Sequence, residues 1–390
     1  MSTIKISDAL PGKPFGRGKD GDVNFASTAT LSVPRIGVTS VSGRVITTAG
    51  DPTSSFSVGD LIHLWDTLAG KYQYNLVESL TSTTLTVVYP LLYSYASYGQ
   101  ISKVFEYRAV TTNSSITLTV PVFNYVNGGI FPLVAQKSIT LGSGATISAV
   151  GLNGDPGGAF AQGTGFWGGP GVYAGATLGH QGGGTGGYGT NAQSANGTGG
   201  GGGQSGSGYG QQGGGGGGHA ASGSPGTSID NGTPGAGGGT DGDVALTELH
   251  MGGGGGGGMH TNGGDQYPGN GAGGGGVVIL ISELVDISAG YVLVSGGAGQ
   301  THGYAGGGGG AGGSVLIQAG SAILGTNRAL SSGGSGGVGG AAGGDGGDGA
   351  VGRIHVDYRL SLSGTTTPTL NSAQDVTLFE TAGAGILALM

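Results

Sequence analysis

Ser335 stands in Gly333-Gly-Ser-Gly-Gly337, the spacing of a nucleophile elbow. An elbow exposes its serine on a sharp strand-to-helix turn, and no helical pattern follows this one. Glycine supplies 98 of the 390 residues, so such a match arises by chance, as do the many G-x-G-x-x-G matches. A glycine–lysine–serine/threonine phosphate cradle is absent. Gly343-Gly-Asp-Gly-Gly-Asp348 has the form of one calcium-binding nonapeptide core, but those sites hold each ion between tandem coils, and there is one copy. Asp20 with Asp22, or Asp241 with Asp243, offers hard oxygen ligands for structural calcium. Asp-Gly equally favours turns. The seven histidines form neither His-x-His nor His-x-x-x-His pairs. His180, His219, His250, His260 and His302 lie in glycine-rich sequence and read as loop or packing residues. Acidic residues are too scattered to nominate a carboxylate pair. No catalytic, cofactor-binding or metal-ligating residue is expected, and the chain reads as something other than an enzyme.

Aromatic residues are more informative. Phe160, Phe166, Trp167, Tyr173, Tyr188, Tyr209, Tyr267 and Tyr304 fall in the breaks between glycine runs. Large side chains cannot lie inside tightly packed glycine segments. They either cap and cover the scaffold or form a binding surface, where Tyr and Trp contribute much area at low entropy cost. Phe166, Trp167, Tyr173, Tyr188, Tyr209, Tyr267 and Tyr304 are the candidate receptor contacts, able to stack on sugar rings.

Bulk composition narrows the class. Charged residues make up 9% of the chain, hydrophobic ones 36%, and the net charge is −8. The low charge argues against ordinary disorder. No basic cluster exists to bind nucleic acid. Cysteine is absent, so neither disulfides nor thiolate sites form. Met1 to Leu10 contains Lys5 and Asp8 and lacks the apolar stretch of a secretory signal. No run of about 18 apolar residues exists to insert in a membrane.

Three regions must position these residues. Residues 1–135 read as a small β domain for attachment or assembly. Val58–Trp65, Tyr72–Val77 and Thr84–Tyr89 are short, β-branched and aromatic, and are bounded by turn residues. Asp66–Gly70 suits a turn between the first two. Leu61, Leu64, Trp65, Val77, Leu85 and Val87 are expected in the core of a twisted sheet or barrel. Residues 136–358 hold nearly all the glycine, interrupted by strand-like pairs: Ser138–Leu141 with Thr146–Val150, Val277–Ile281 with Tyr291–Val294, Ser314–Ile317 with Arg328–Leu330, and Arg353–Asp357 with Leu360–Leu362. Ile279, Val315 and Ile354 align at a spacing typical of solenoid repeats. Residues 359–390 form an apolar tail.

Long pure runs such as Gly213–Gly218, Gly252–Gly258 and Gly306–Gly310 are poor flexible linkers, which usually mix in serine. Laid side by side in polyproline-II geometry, with three residues per turn, such runs can pair N–H and C=O groups between neighbours. Only glycine fits at such close axes. The expected fold is all-β with polyglycine-II helices: a small N-terminal β domain, then a solenoid-like glycine-rich sandwich, with almost no α-helix.

Phe15-Gly-Arg-Gly-Lys-Asp-Gly-Asp22 with Ala26–Leu31, and the glycine runs themselves, resemble the glycine-rich tail-fibre and receptor-binding proteins of tailed bacteriophages. Val58–Ile62, Gly70–Tyr72, Val77–Ser79, Leu85–Leu91 and Gly349–Tyr358 also resemble glycine-rich bacterial surface proteins. The resemblance implies a virion-surface or extracellular adhesin, with glycine runs packed as sandwiches and variable loops at one end. Its partners would be a bacterial surface polysaccharide or outer-membrane protein, other virion proteins and further copies of itself. Ser361 to Met390 resembles nothing in that family. Its strand-like Asp375–Phe379 and apolar end make Val376, Leu378, Phe379, Ile386, Leu387 and Leu389 candidate assembly contacts, unless the tail folds back on its own chain. The alternative is a self-assembling subunit of an extracellular filament or sheath without a receptor.

Overall fold

The computed structural model describes residues 5–95, 99–124, 128–154, 195, 197–204, 211–229, 232–260, 268–341 and 343–376. The regular secondary structure described is almost wholly β. The exceptions are one helical turn, α1 (Ile6–Ala9), and a 3-10 turn at Pro52–Ser54.

The chain winds in coils, each passing from one row of parallel strands to a second. β1 (Asp22–Phe25) and β2 (Ala29–Thr30) make the first coil. Between it and the next stands a closed barrel of β3 (Arg35–Ser42), β4 (Val45–Thr48), β5 (Leu61–Asp66), β6 (Tyr72–Leu80), β7 (Thr84–Val87) and β8 (Gly99–Lys103). The coils resume with β9 (Glu106–Thr112) and β10 (Thr117–Thr119), then β11 (Ile130–Thr140) and β12 (Thr146–Ser148). The short ribbon β13 (Gln211–Gln212) and β14 (Met259–His260) follows, then β15 (Val277–Asp286) and β16 (Tyr291–Leu293). β17 (Ser314–Leu330) spans both rows, and β18 (Arg353–Thr367) and β19 (Asn371–Gln374) finish the sheet. The first row runs β1, β9, β11, β15, β17, β18, β19; the second runs β2, β10, β12, β16 and the end of β17; every pairing within them is parallel.

Parallel pairing explains why neighbouring strand segments do not form hairpins. Parallel strands need a long crossover, usually a helix. Here glycine-rich excursions make it. Ile139 lies beside Val285 and Ile147 beside Val292, each across the next coil. Ile279 lies beside Leu316, one residue past the Val315 that composition aligns with it, while Val315 does face Ile354.

Burial follows from having partners on both faces. Val278, Leu280, Val315 and Ile317 join Ile147, Val292 and Ala329 between the two rows. Val277, Ile279, Ile281 and Leu316 point the other way, onto Leu61, Trp65 and α1. Strands buried on both faces read as continuous apolar runs, as Val277–Ile281 does. The six expected core residues, Leu61, Leu64, Trp65, Val77, Leu85 and Val87, are all fully buried. Asp66 forms the expected turn, its Oδ1 accepting from Leu68 and Ala69 N–H at 3.0 and 2.8 Å. At the opening, Gly16 and Gly18 adopt positive φ on either side of Arg17, turning the Arg17 backbone and guanidinium onto the buried Glu106 carboxylate.

The described parts of the glycine excursions carry backbone bonds of period three. Gly213 and Gly216 donate to Thr227 and Ser224; Gly214 and Gly217 donate to Gly306 and Gly309; Gly215 and Gly218 donate to Gly201 and Thr198. Each amide addresses a different neighbour, and the fourth returns to the first. The run from Gly306 repeats the pattern. Gly306 and Gly309 donate to Gly344 and Gly347, Gly307 and Gly310 to Gln300 and Gly297, and Gly308 and Ala311 to Gly256 and Gly253. A methyl group built on Gly308 would sit 2.0 Å from the Gly215 carbonyl oxygen. No side chain fits there.

Candidate functional site: the two ends of the glycine runs

Run directions place two groups of residues at opposite ends. Gln211 begins one run and His219 follows its last glycine; Met251 opens another and Met259 closes it. Antiparallel pairing of Gln211 with His260 and Gln212 with Met259 sets one end. Gly253 bonded to Gly218 sets the other, where the strands begin.

The strand end carries a polar cluster. His219 Nδ1 lies 2.6 Å from Asp241 Oδ1, and His219 Nε2 lies 3.0 Å from Ser314 Oγ. Asp241 Oδ2 is 3.1 Å from His250 Nδ1, and His250 Nε2 is 3.4 Å from Glu248 Oε2. Glu248 also pairs with Lys71 of the barrel. Arg353 donates to the Asp241 backbone oxygen at 2.6 Å. Ser, His and Asp in this order could suggest a nucleophile. Ser314 and His219 are both 0% exposed, however, and the Ser314 hydroxyl donates to the His250 carbonyl at 2.7 Å. With both groups buried and the hydroxyl engaged, the cluster packs as a lock between barrel, glycine runs and sheet. Trp65 Nε1 donating to Leu249 O at 2.8 Å belongs to the same junction. Burial pushes His219 below its ordinary value. For His250 burial acts downward too, but Asp241 and Glu248 outweigh it and the net shift is upward. Asp241, despite burial, is held below the usual carboxylate range by the two histidines.

The far end gathers the turns. Gln204 and Thr233 bond reciprocally, at 2.7 and 3.0 Å. Gly344 donates to Gln211, Gly269 to Ala305, and His302 to Val338. Asn270 N–H donates to Gln300 Oε1 at 2.9 Å. The described residues bordering 205–210, 230–231, 261–267 and 301–304 therefore meet at this end. Tyr304 sits there, its ring centroid 4.1 Å from that of His260 and 5.6 Å from that of His302. Burial, then the neighbouring His302, lowers the His260 pKa. Ile229 and Val338 stand exposed nearby at 59% and 58%. Tilted aromatic rings beside exposed aliphatic groups suit a weakly polar ligand face.

Of the candidate receptor contacts only Tyr304 is described; Phe166, Trp167, Tyr173, Tyr188, Tyr209 and Tyr267 lie outside the described residues. Val376 is 60% exposed at the end of the described chain, and Leu378, Phe379, Ile386, Leu387 and Leu389 lie outside it. The carboxylates proposed as ion ligands have other partners. Asp345 and Asp348 accept from Gly339 and Gly336 N–H, Asp20 from Glu106 N–H, and Asp243 from Ala245 N–H; Asp22 pairs with Arg108. Among the described residues no group of three His, Asp or Glu is placed to hold a metal ion, and no helix is long and apolar enough to cross a membrane. Ser335 is exposed within a glycine run, with no helix after it. Sequence reasoning missed the His219–Asp241–Ser314 lock, because its members are separated by 22 and 95 residues and share no local pattern.

Neither a known protein family nor a curated protein matches the sequence. Among solved structures the chain overlaps phage tailspikes. One is the tailspike protein gp49 from Pseudomonas phage LKA1, at 10% identity and a TM-score of 0.19, covering 91% of this chain and 67% of that one. Another is the Gp54 tailspike of Acinetobacter baumannii bacteriophage AP22, solved with a capsular saccharide, at 12% identity and a TM-score of 0.19, covering 90% of this chain and 59% of that one. The tailspike gp61 of Pseudomonas phage phi297 overlaps at 11% identity and a TM-score of 0.18, covering 91% and 61%. This chain spans less than two thirds of the latter two. At these scores the overlap defines no common architecture.

Proposed function

We propose that the chain is a virion structural protein, a tail-fibre or spike component that presents its turning end to a bacterial surface polysaccharide or outer-membrane protein. The observation that carries this reading is the period-three bonding of the glycine runs. Three residues per turn with no internal hydrogen bonds is polyproline-II geometry, and in glycine it forms a polyglycine-II sandwich. A seven-residue run then extends about 20 Å. The sandwich is a rigid spacer: strands and barrel anchor one end, and the turns are displayed at the other. Binding residues concentrate on loops held by a rigid scaffold. The role at that end is recognition, and assembly with further copies or other virion proteins falls to Val376 and the tail beyond it.

The test replaces Phe166, Trp167, Tyr173, Tyr188, Tyr209, Tyr267 and Tyr304 by alanine, singly and together. Loss of host-cell adsorption with unchanged circular dichroism is expected. Full adsorption by the combined variant would remove the turning end as the binding face. Incubation with purified surface polysaccharide is expected to release no oligosaccharide.

One observation favours a filament subunit instead. β19 covers β18 only from His355 to Tyr358, so the outer edge of β18 beyond Tyr358 has no strand partner among the described residues. An uncovered edge can pair with another copy. Negative-stain microscopy separates the two readings: short isolated rods for an adhesin, long polymers for a filament.

A further inference from the structure

A row of polar side chains crosses the outer face of the barrel. Arg35 on β3 lies opposite Ser102 on β8. Ser102 lies opposite His63 on β5, and His63 opposite Tyr74 on β6. Directly opposed residues of antiparallel strands point to the same side, with Cβ atoms roughly 5 Å apart. Alternation fixes which side. Ile36, Ile62 and Ile101, each next in sequence to a member of the row, pack with the barrel interior. Leu61 and Trp65, two residues either side of His63, pack with Ile279 and Leu316 of the parallel sheet. The row therefore lies in the seam between barrel and sheet.

Every member has a polar atom that finds no partner. Arg35 Nε, Ser102 Oγ, Tyr74 Oη and both ring nitrogens of His63 are buried without a hydrogen bond. His63 and Ser102 are 0% exposed and Tyr74 1%. Their neighbour Gln100 shows what a satisfied group looks like here: its amide donates to Gly128 O at 2.9 Å and accepts from Gly128 N–H at 3.0 Å. Buried polar groups left without a hydrogen bond are costly, so native proteins fill such places with water or an ion. Water can complete hydrogen bonds, but only an anion also offsets the charge of a guanidinium that has no acid beside it. Among the described residues Arg35 reaches backbone oxygens, Ile130 O at 3.0 Å and Val33 O at 3.5 Å, and no carboxylate forms an ion pair with it. Burial alone pulls Arg35 to about 10 and His63 to about 3, with no charged neighbour acting on either. All four groups can donate, and the row contains no acid. Arg35 is only partly buried and gives the row a way to solvent.

We propose that this seam binds a small inorganic anion of the halide class, held by Arg35, Ser102 and His63 with Tyr74 closing the row. The anion neutralises Arg35 and accepts the unmade hydrogen bonds, so it fastens the barrel to the sheet. The site is independent of any receptor at the turning end.

The test uses the full chain and sodium bromide. Ionic strength is kept constant while bromide replaces gluconate, and thermal unfolding is followed. A ligand that binds only the folded state raises the melting temperature with its concentration. A steady rise with bromide is expected in the wild type and its loss in Ser102→Ala. Tyr74→Phe, which removes a single hydroxyl, serves as the second variant, with a reduced rise expected even if Ser102→Ala fails to fold. Crystals soaked in bromide should show an anomalous peak beside Ser102 Oγ and Arg35 Nε. A melting temperature indifferent to bromide, an equal rise in the variants, or no peak at that position would each overturn the assignment.

Discussion

Asp241 Oδ1 lies 2.6 Å from His219 Nδ1, and the other oxygen of the same carboxylate is 3.1 Å from His250 Nδ1. One acid thus spans two imidazoles from different segments. His250 is held in turn by Glu248, which pairs with Lys71. The junction between barrel and glycine runs therefore depends on charge states near neutral pH. Asp241 sits below the usual carboxylate range, so its contribution is present above about pH 4 and is lost as the pH falls further.

For His250 the sign is opposite. Its pKa is raised in the folded protein by Asp241 and Glu248, against the effect of burial. The stability it contributes is fully present below about pH 6.5 and is lost as the pH rises through the folded value. His250→Gln is expected to cost on the order of 1–3 kcal/mol at pH 5.5, and less at pH 9. Urea unfolding of both proteins across that range checks it; a deficit that grows with pH would be the wrong sign.

Gly255 separates an ordered glycine lattice from a linker. A methyl group there would stand 2.1 Å from Gly308 O and 2.4 Å from its carbonyl carbon. Backbone cannot swing aside as a side chain can. Gly255→Val is expected to destabilise by about 3 kcal/mol or more. Gly303→Ala is the control, since a methyl group there meets no described residue beyond its chain neighbours within 4 Å, and it should cost little. Amide exchange gives a second reading: Gly215, Gly256 and Gly308 should exchange slowly, being bonded to other runs.

The barrel was legible because its information is local. Leu61, Leu64 and Trp65 alternate with their neighbours between two buried faces, and Asp66–Gly70 has turn chemistry. The parallel coils were half legible. Val277–Ile281 announces a buried strand, but nothing in it says that the partner is Ile130–Val134 and not Tyr291–Val294. Pairing across a long excursion leaves no short-range mark. The two-residue β2 carries too little sequence to show that the barrel interrupts a coil. Tyr304 was legible as a residue of a break between runs; its tilted contact with His260 was not, since the two come together through bonds between distant runs such as Gly269 to Ala305.

Glu106 links the chain's opening to the second coil. Its carboxylate is 0% exposed and accepts from the Arg17 backbone N–H at 2.9 Å and Arg17 Nε at 2.8 Å. Glu106→Gln keeps the shape, removes the charge and turns a donor toward donors. Breaking a fully buried pair costs about 3–5 kcal/mol. Arg17 is 32% exposed and regains some solvent, so a loss of roughly 2 kcal/mol is expected, measured by denaturant unfolding. An unchanged midpoint would mean that the Arg17 turn contributes nothing to stability.

His63 gives the last expectation, on the acid side. It is 0% exposed, its ring centroid 5.0 Å from that of Tyr74 and 5.7 Å from that of Tyr72, and burial pushes its pKa down to about 3. The folded protein keeps this imidazole neutral, whereas the unfolded chain takes up a proton near pH 6.5. A depressed folded value means that stability is lost as the pH falls below the unfolded one, and that the loss continues toward the folded one. Between pH 8 and pH 5 the loss from this group alone is about 2 kcal/mol, at 1.36 kcal/mol per pH unit below the unfolded value. His63→Phe removes the titration and sets an aromatic ring between two tyrosines. The variant should lose less stability than the wild type on going from pH 8 to pH 5. Measured in gluconate without halide, parallel pH profiles for the two proteins would show that His63 gains a proton in the folded state.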